Sequence, residues 1–351
     1  MKKLLIIGDA GSIHLKKWTD DFLQSFDVYV FTFSSENKTN VPDSKVFYYK
    51  SIFTRKVWFI TAIFSLLRVV KVIKPDLIHV HYASSYGFLG SFTSHGKKVL
   101  SIWGSDLNFC DKSFFRRVLM RWTLMNYDVV NCASQALRRK AEKICSDADY
   151  QVFQYGIDVN IPTKTEVYNS ERPVFILNRG LSSLYRVDYV IDEFKHFIEH
   201  GGAGILKIYG YGSKKETDFI KSKVELISCE SVIFEGVVEQ CHLYSEMKSA
   251  DYYISIPCID GAPLALYEAM HIGLYPIVSN IDSNQETFSK GQADFLNTYK
   301  PGDLSLLLFE LTSKDFNVTA VDKNRVVITD DYNYIKNMNR MKNIYIKLLG
   351  I

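Results

Sequence analysis

Twice along this chain, short apolar runs alternate with amphipathic stretches, and that repeat restricts the fold more than any other feature. In the first half LLIIG, VYVFTF, DLIHVH, KVLSIWG, DVVNCAS and YQVFQYG read as strands, separated by helical stretches such as HLKKWTDDFLQSF and ASQALRRKAEKI. That is the pattern of a doubly wound α/β unit. Residues 159 to 172, VNIPTKTEVYNSER, lose the apolar rhythm and read as a linker. The alternation then restarts: VFILNRG, a helix over 187–200, LKIYGYG, a helix over 214–227, SVIFEGVV, a helix over 240–249, DYYISIP, the helical APLALYEAMHIG and LYPIVSN. With 351 residues, 47% of them hydrophobic, the chain is long for one core. Two α/β domains are expected, 1–160 and 171–330. The stretch 331–351 is a helical candidate with Tyr334, Met338, Met341, Ile344, Ile346 and Leu348 as its apolar residues.

Charge and cysteine usage narrow the function classes. A formal net charge of +3 argues against bulk nucleic-acid binding while allowing a local basic patch. Cys110, Cys132, Cys145, Cys229, Cys241 and Cys258 are scattered, with no zinc-type spacing, which suits a reducing, cytoplasmic setting. MKKLLIIGD has too short an apolar stretch for a signal peptide and reads as a first buried strand. VWFITAIFSLLRVV (57–70) is broken by Arg68 and is shorter than the roughly 20 residues a membrane span needs.

Open α/β sheets bind ligands beyond the carboxyl ends of their strands. In the first half those exits carry Gly11, Ser12, Ile13 and His14, then His79 and His81, then Trp103, Gly104, Ser105 and Asp106. In the second they carry Asn178-Arg179-Gly180, Gly210-Tyr211-Gly212, Glu235-Gly236 and Asp260-Gly261. GDAGSIH is not GxGxxG, so a nicotinamide site there is not expected. A strand-end histidine can equally be a satisfied structural group; alternation puts His79 and His81 on one face, and at most one need matter. Arg179 could bridge to a surface acid, but Gly180 beside it would let a ligand backbone approach. Asp147 and Asp149 lie at a strand entry and read as solvated turn residues, so no metal is expected.

The segment IDGAPLALYEAM (259–270) poses a sharper problem. Glu268 stands in a run that is oily on every face, and burying an unpaired carboxylate costs on the order of several kcal/mol. Pro263 fits the first helical position, where its missing N–H costs nothing. The amides that follow, with the helix dipole behind them, form an anion site. Gly261 allows close approach, Asp260 can accept from sugar hydroxyls, and Glu268 can accept two bonds from a ribose diol. The alternative is a Glu268 bonded to a loop amide or to Arg179.

These residues resemble a known pattern. The whole chain is similar to glycosyltransferases of the two-Rossmann GT-B architecture, and more narrowly to family 4 of the retaining enzymes, of the kind that build bacterial surface polysaccharides. That family carries EGxPxxxxEAMxxG; here stand Asp260-Gly261, Pro263, Glu268-Ala269-Met270 and Gly273. DLIHVH (76–81), WGSD (103–106), YGID (155–158), NRGL (178–181), IYGYG (208–212) and FEGVV (234–238) match along the chain. The resemblance implies two Rossmann-like domains facing across a cleft, the first binding acceptor and the second donor, with the last helix returning to the first domain.

It also implies roles. Glu268 would bind the donor ribose, Asp260 the transferred sugar, Arg179 the diphosphate, and His81 the reacting sugar or acceptor. Phe234 to Val238, including Gly236, would hold the base through backbone contacts. The remaining donor-binding positions would be Gly11, Ser12, Tyr185, Arg186, Gly210, Gly212, Gly261, Ala262, Pro263 and Leu264. His14, Trp103 and Asp106 would join His81 at the acceptor. Three departures stand out. Asp260 is one methylene shorter than the usual glutamate. Tyr185 and Arg186 stand near the family's lysine, and Trp103 replaces a common histidine and suggests a stacking surface. The nucleoside-diphosphate-sugar would be a substrate, so no cofactor is expected, and the leaving phosphate would itself accept the acceptor's proton, since no protein nucleophile stands out.

For the acceptor, Arg55, Lys56, Arg68, Lys71 and Lys74 among Trp58, Phe59 and Phe64, and again FFRRVLMRW (114–122), mix basic and aromatic residues. Such segments suit either a helix resting on anionic lipid or a core-facing helix with a solvated basic side. A saccharide or lipid-linked saccharide acceptor, with peripheral contact to the inner face of the cell membrane, is the expectation from the first. The rival functions are a nucleotide-sugar epimerase, a non-catalytic nucleotide-sugar-binding protein and a generic two-domain nucleotide binder.

Overall fold

Four of the five residues of the first apolar run, Lys3–Ile7 (β1), are buried, as a central parallel strand covered on both faces requires. In the computed structural model, which describes residues 1–50, 57–108, 113–164, 171–227, 230–261 and 263–351, β1 leads into α1 (Ile13–Phe22), β2 (Asp27–Thr32), β3 (Val46–Tyr48), α2 (Val57–Ile73), β4 (Leu77–His81) and α3 (Ser85–Ser91). Then come β5 (Lys97–Ile102), α4 (Ser105–Asn108), α5 (Phe114–Met125), β6 (Val129–Cys132), α6 (Gln135–Glu142) and β7 (Tyr150–Val152). The second series runs β8 (Val174–Asn178), α7 (Val187–Glu199), β9 (Ile205–Tyr209), α8 (Lys214–Ile227), β10 (Val232–Gly236), α9 (Gln240–Lys248) and β11 (Tyr252–Ser255). It continues through α10 (Leu264–Ile272), β12 (Tyr275–Ser279), α11 (Asp282–Phe288), β13 (Asp294–Leu296), α12 (Asp303–Thr312) and α13 (Val318–Asp331), and the chain ends with α14 (Tyr334–Leu349).

The chain divides into two units, Met1–Tyr155 with Tyr334–Ile351, and Gly156–Asn333. Each is a parallel, Rossmann-like α/β sheet. The first has strand order β3-β2-β1-β4-β5-β6-β7, the second β10-β9-β8-β11-β12-β13. In each, the winding reverses once, between β1 and β4 and between β8 and β11. Those reversals are the topological switch points at which such sheets bind ligands.

One face of the first sheet is covered by α2, α3, α5 and α6, through Leu66, Val70, Leu89, Leu124 and Ala141, which share a core with Leu5, Ile78, Leu100 and Val130. On the other lie α1 and α14: Trp18 and Tyr345 pack ring against ring with His79, and Phe22 with Tyr345. In α14 the buried residues include Met338, Met341 and Tyr345, whereas Ile346, also apolar, is exposed. In the second unit, the aromatics of α7 pack on Phe175. The buried Glu193 of α7 accepts from the amides of Gly302 (2.9 Å), Leu304 (3.0 Å) and Ser305 (3.1 Å), capping α12 from a neighbouring helix.

Three features depart from the expectation. β3 is a short edge strand whose alternation is only three residues long. The elements from α11 to α13 follow LYPIVSN without a clear apolar period. Residues 156–160, expected in the first domain, fold with the second, where Ile157 pairs with Asn333. Lys164, within the expected linker, is buried and bonded to Asp251 (3.0 Å) and the Ala250 carbonyl (2.9 Å); residues 165–170 lie outside the described residues. No helix among the described residues is long and apolar enough to cross a membrane.

Candidate functional site

Arg179 and Asp260 follow the two strands that flank the switch point of the second sheet, β8 and β11, and the structure joins them. The Arg179 Nη2 donates to Asp260 Oδ2, with the two side chains 9% and 14% exposed. Burial disfavours the guanidinium charge most strongly, but the Asp260 carboxylate together with the Tyr253 and Tyr185 side chains holds Arg179 more firmly protonated than usual. The Tyr185 ring lies 4.6 Å from the guanidinium carbon.

The glycines here serve the protein backbone. A Cβ on Gly180 would stand 2.8 Å from the Tyr185 ring, so the space expected for a ligand is filled by that ring. Gly210, at φ 150°, lets the Arg179 carbonyl pass; a Cβ there would sit 1.9 Å from it. A Cβ on Gly212 would press on Glu216 and Leu181 at 3.0 Å. These contacts give Gly210 and Gly212 a part in setting the backbone around Arg179. The Gly210 amide donates to the Gly236 carbonyl (2.8 Å), tying the end of β10 to this exit. Phe234 and Gly236 flank an irregularity in the β9–β10 ladder, and Gly236 has φ 70°. Arg186, in the left-handed region at φ 52°, donates to the Ile256 carbonyl (2.9 Å) and stacks on Tyr299 at 3.6 Å. It thus sits at the β11 exit.

Asp260 and Gly261 lead to Pro263, which is the cap of α10 rather than its first residue: its carbonyl accepts from the Tyr267 amide (3.1 Å), and it has no side-chain group with which to cap. Leu264 follows as the first helical residue; Ala262 lies outside the described residues. The helix is not oily on every face. Leu266, Tyr267, Ala269 and Met270 are buried, while Leu264, Ala265 and Glu268 form a half-buried stripe. Glu268 therefore keeps some contact with solvent, and its Oε1 accepts from the Tyr244 hydroxyl of α9 at 3.0 Å. Burial, then the Glu268 charge, push the Tyr244 phenol upward, so it remains a donor. The donor seen on Glu268 is a tyrosine that no motif marked.

At the first unit's switch point, His81 ends β4, buried, with both ring nitrogens lacking a hydrogen-bond partner among the described residues. Burial lowers its pKa to about 3, so the imidazole is neutral at physiological pH. Trp103 stacks on it, ring centroids 5.9 Å apart, and Trp18 closes another side at 5.6 Å. His79, on the same face, is the satisfied one, bonded to Ser101 Oγ (2.8 Å) and the Tyr345 hydroxyl. His14 bonds the Tyr155 hydroxyl, and its pKa is lowered by its crowded surroundings and then by Lys17, although much of the residue meets solvent.

Three positions in this unit have local roles. Ser12 caps α1 by accepting from the His14 amide (3.2 Å), and the Gly11 amide donates to Asp9 (3.0 Å). Asp106 is not open to an acceptor: it is buried and accepts from the amides of Ala83 (2.9 Å), Gly104 (2.8 Å) and Trp103 (3.3 Å). It staples the β4 and β5 exits together. The sequence reading missed Trp18, Tyr155, Tyr244 and Tyr253; the last donates to the Asn178 carbonyl (2.9 Å) beneath Arg179. All four are aromatics that sequence pattern assigns to the core.

Residues 3–134 match the family model described as glycosyl transferase 4-like, and residues 173–308 match the one described as glycosyl transferases group 1. No curated protein matches the sequence. Among solved structures, sucrose-phosphate synthase from Thermosynechococcus elongatus is similar at TM-score 0.79 and 14% identity, covering 100% of both chains. Anabaena HepE in complex with UDP gives 0.77 at 12% identity over 98% of this chain and 99% of that one. The lipopolysaccharide outer core galactosyltransferase WaaB gives 0.69 at 17% identity over 96% and 98%. With a glycosyltransferase family model matched in each parallel-sheet unit and the fold shared end to end with such structures, the chain belongs to the glycosyltransferases of GT-B fold.

Proposed function

We propose that this glycosyltransferase is a family 4 enzyme that moves a sugar, with retention of configuration and without a metal ion, from a nucleoside-diphosphate-sugar to a saccharide or lipid-linked saccharide. Surface-polysaccharide assembly at the cytoplasmic side of the membrane is the setting this reading favours. The observation that carries it is the charged Arg179 held on Asp260, three residues ahead of the Pro263 cap of a helix that also bears Glu268. HepE, a similar structure, is bound to UDP and, in another crystal, to UDP-glucose, which supports the nucleotide reading.

In this reading Arg179 and the first amides of α10 take the diphosphate, Glu268 the ribose hydroxyls and Asp260 the transferred sugar. As the bond from the anomeric carbon to the phosphate oxygen breaks, negative charge gathers on the leaving diphosphate, where Arg179 and the helix N-terminus stabilise it. The acceptor oxygen bonds the anomeric carbon on the same face, and its proton passes to the departing phosphate oxygen. His81, neutral, can orient a sugar by hydrogen bonds but cannot serve as an acid; with Trp103 and His14 it is the proposed acceptor contact.

The test is thermal melting with UDP-, GDP- and ADP-sugars, followed by product analysis with the donor that stabilises. Bound donor should raise the melting point by mass action. Glu268→Ala should abolish most of the shift and the turnover. No shift with any nucleotide sugar, or an epimerised donor as product, would refute the reading.

A further inference from the structure

The face of the first unit built by α2, α3 and α5 presents apolar side chains outward as well as inward. On α5, Phe114 and Phe115 are 84% and 73% exposed, and Val118 and Met125 continue the same exposed side. On α2, Ile60, Phe64 (67% exposed) and Val72 recur at helical spacing along one stripe. An aromatic string joins the two helices through α3: Phe59 to Phe88 at 5.2 Å, Phe88 to Trp122 at 5.5 Å, and Phe92 to Trp122 at 5.1 Å. The apolar surface is therefore continuous across three helices. Soluble monomers rarely carry an exposed apolar patch of this kind without a binding role.

Its charges are mainly positive, with Asp147 paired to Arg121 at 3.3 Å as an acid at its edge. Within α2 stand Arg68 and Lys71 and no acid. Within α5 stand Arg116, Arg117 and Arg121, again with no acid. In α2, Arg68 and Lys71 are exposed along with Phe64 and Val72 on the same stripe. Large apolar side chains ringed by cations, on helices too short or too charged to span, are the chemistry of a surface that lies in the headgroup layer of an anionic bilayer. A protein partner of ordinary mixed charge would not require so one-sided a rim.

We infer that α2 and α5 form a membrane-docking face that inserts Phe64, Phe114 and Phe115 among acyl chains while the flanking arginines and lysines engage anionic headgroups. The inference concerns the unliganded protein and holds whichever sugar is transferred.

The full chain, without donor or acceptor, should float with vesicles in which about a third of the lipid is phosphatidylglycerol, and bind neutral phosphatidylcholine vesicles on the order of tenfold more weakly. Phe114→Ser with Phe115→Ser, and separately Arg68→Gln with Lys71→Gln, should each weaken binding to the anionic vesicles on the order of tenfold. All four positions are exposed, so both variants should keep the wild-type melting temperature. Absence of flotation, equal binding to neutral and anionic vesicles, or undiminished binding of the phenylalanine variant would overturn the proposal. So would sedimentation showing a dimer that the phenylalanine variant dissociates, with no vesicle binding, since the face would then cover a second copy.

Discussion

Replacing Arg179 by alanine separates the guanidinium's two jobs. In the folded chain it pairs with Asp260 and stacks on Tyr185, both at an opening where the pair is 9% and 14% exposed. Breaking a fully buried pair costs about 3–5 kcal/mol and an exposed one about 0–1, so this site falls near 2 kcal/mol. The lost stacking adds about 0.5–1 kcal/mol. For a unit of this size each kcal/mol moves the midpoint by about 2–4 °C, so Arg179→Ala should melt roughly 5–12 °C lower. If the same guanidinium holds the diphosphate, its removal also forfeits a charge-assisted hydrogen bond of about 1.5–3 kcal/mol, a roughly 10- to 150-fold rise in Kd for the nucleoside diphosphate. Asp260→Asn provides the control. It weakens the same pair but leaves the cation in place and free to turn to a phosphate, so calorimetry should show nucleotide affinity unchanged or tighter. A Kd for Arg179→Ala within about twofold of wild type, which is only ~0.4 kcal/mol, would refute the phosphate role. Equal weakening by both substitutions would show that the pair matters only as a structural clasp.

Tyr244→Phe deletes the hydroxyl that bonds Glu268. If that bond orients the carboxylate, kcat/KM should fall about fivefold, matching ~1 kcal/mol, with little change in melting temperature; an unchanged kcat/KM would leave Tyr244 as packing. Gly210→Ala forces a Cβ to within 1.9 Å of the Arg179 carbonyl at a φ that alanine rarely adopts, and should both destabilise the unit by several kcal/mol, about 3 or more, and weaken nucleotide binding. His81 supplies a pH test. Its folded pKa, lowered by burial to about 3, lies below the unfolded value, so the unfolded chain binds more protons through the acid range. The neutral ring's contribution is therefore complete above the unfolded pKa of roughly 6.5 and is lost as pH falls, by up to about 1.4 kcal/mol per pH unit. Denaturant titrations between those limits should show a shallower slope for His81→Gln; the same slope would refute the assignment.

The strands were legible because parallel strands covered on both faces must be apolar throughout, and LLII, LIHV and YYIS have no other reading. Short edges escaped: Val46–Tyr48 and Asp294–Leu296 are too brief for any period to register. The positions of Arg179, Asp260 and Glu268 were likewise readable, since strand exits and a helix preceded by proline leave marks in sequence. Their partners were not. Whether Gly180 admits a ligand or the Tyr185 ring depends on a contact of 2.8 Å that no pattern encodes. Asp106 and His81 show the same limit in opposite directions. Each is a polar residue at the exit of a strand, yet one meets three backbone amides and the other none.

That contrast bears on the two chemistries proposed for the two units. Both sheets reverse their winding once, and at each reversal the chain leaves a gap between two strand ends. In the second unit the gap is flanked by a cation held in place by an acid, with Arg186 at the β11 exit and the start of α10, which Pro263 cannot cap, after it: fixed donors suited to a ligand that carries negative charge and gains more of it as a bond breaks. In the first unit the corresponding gap is flanked by Trp18, His81 and Trp103, which keep the histidine uncharged by desolvating it. Flat rings and a neutral imidazole suit a ligand whose polarity lies in hydroxyls and whose faces are apolar, as a sugar's do. A cation in place of His81 would have to be buried without a counter-ion, at a cost of several kcal/mol, about 3 or more, so the electrostatic task cannot migrate to the first unit without rebuilding its aromatic shell. His81→Lys should therefore cost at least that much stability, or shed its proton to avoid the cost, and in neither case create a second phosphate site. Tight nucleotide binding by an Arg179→Ala, His81→Lys double variant would show that the division of labour is not set by these surroundings.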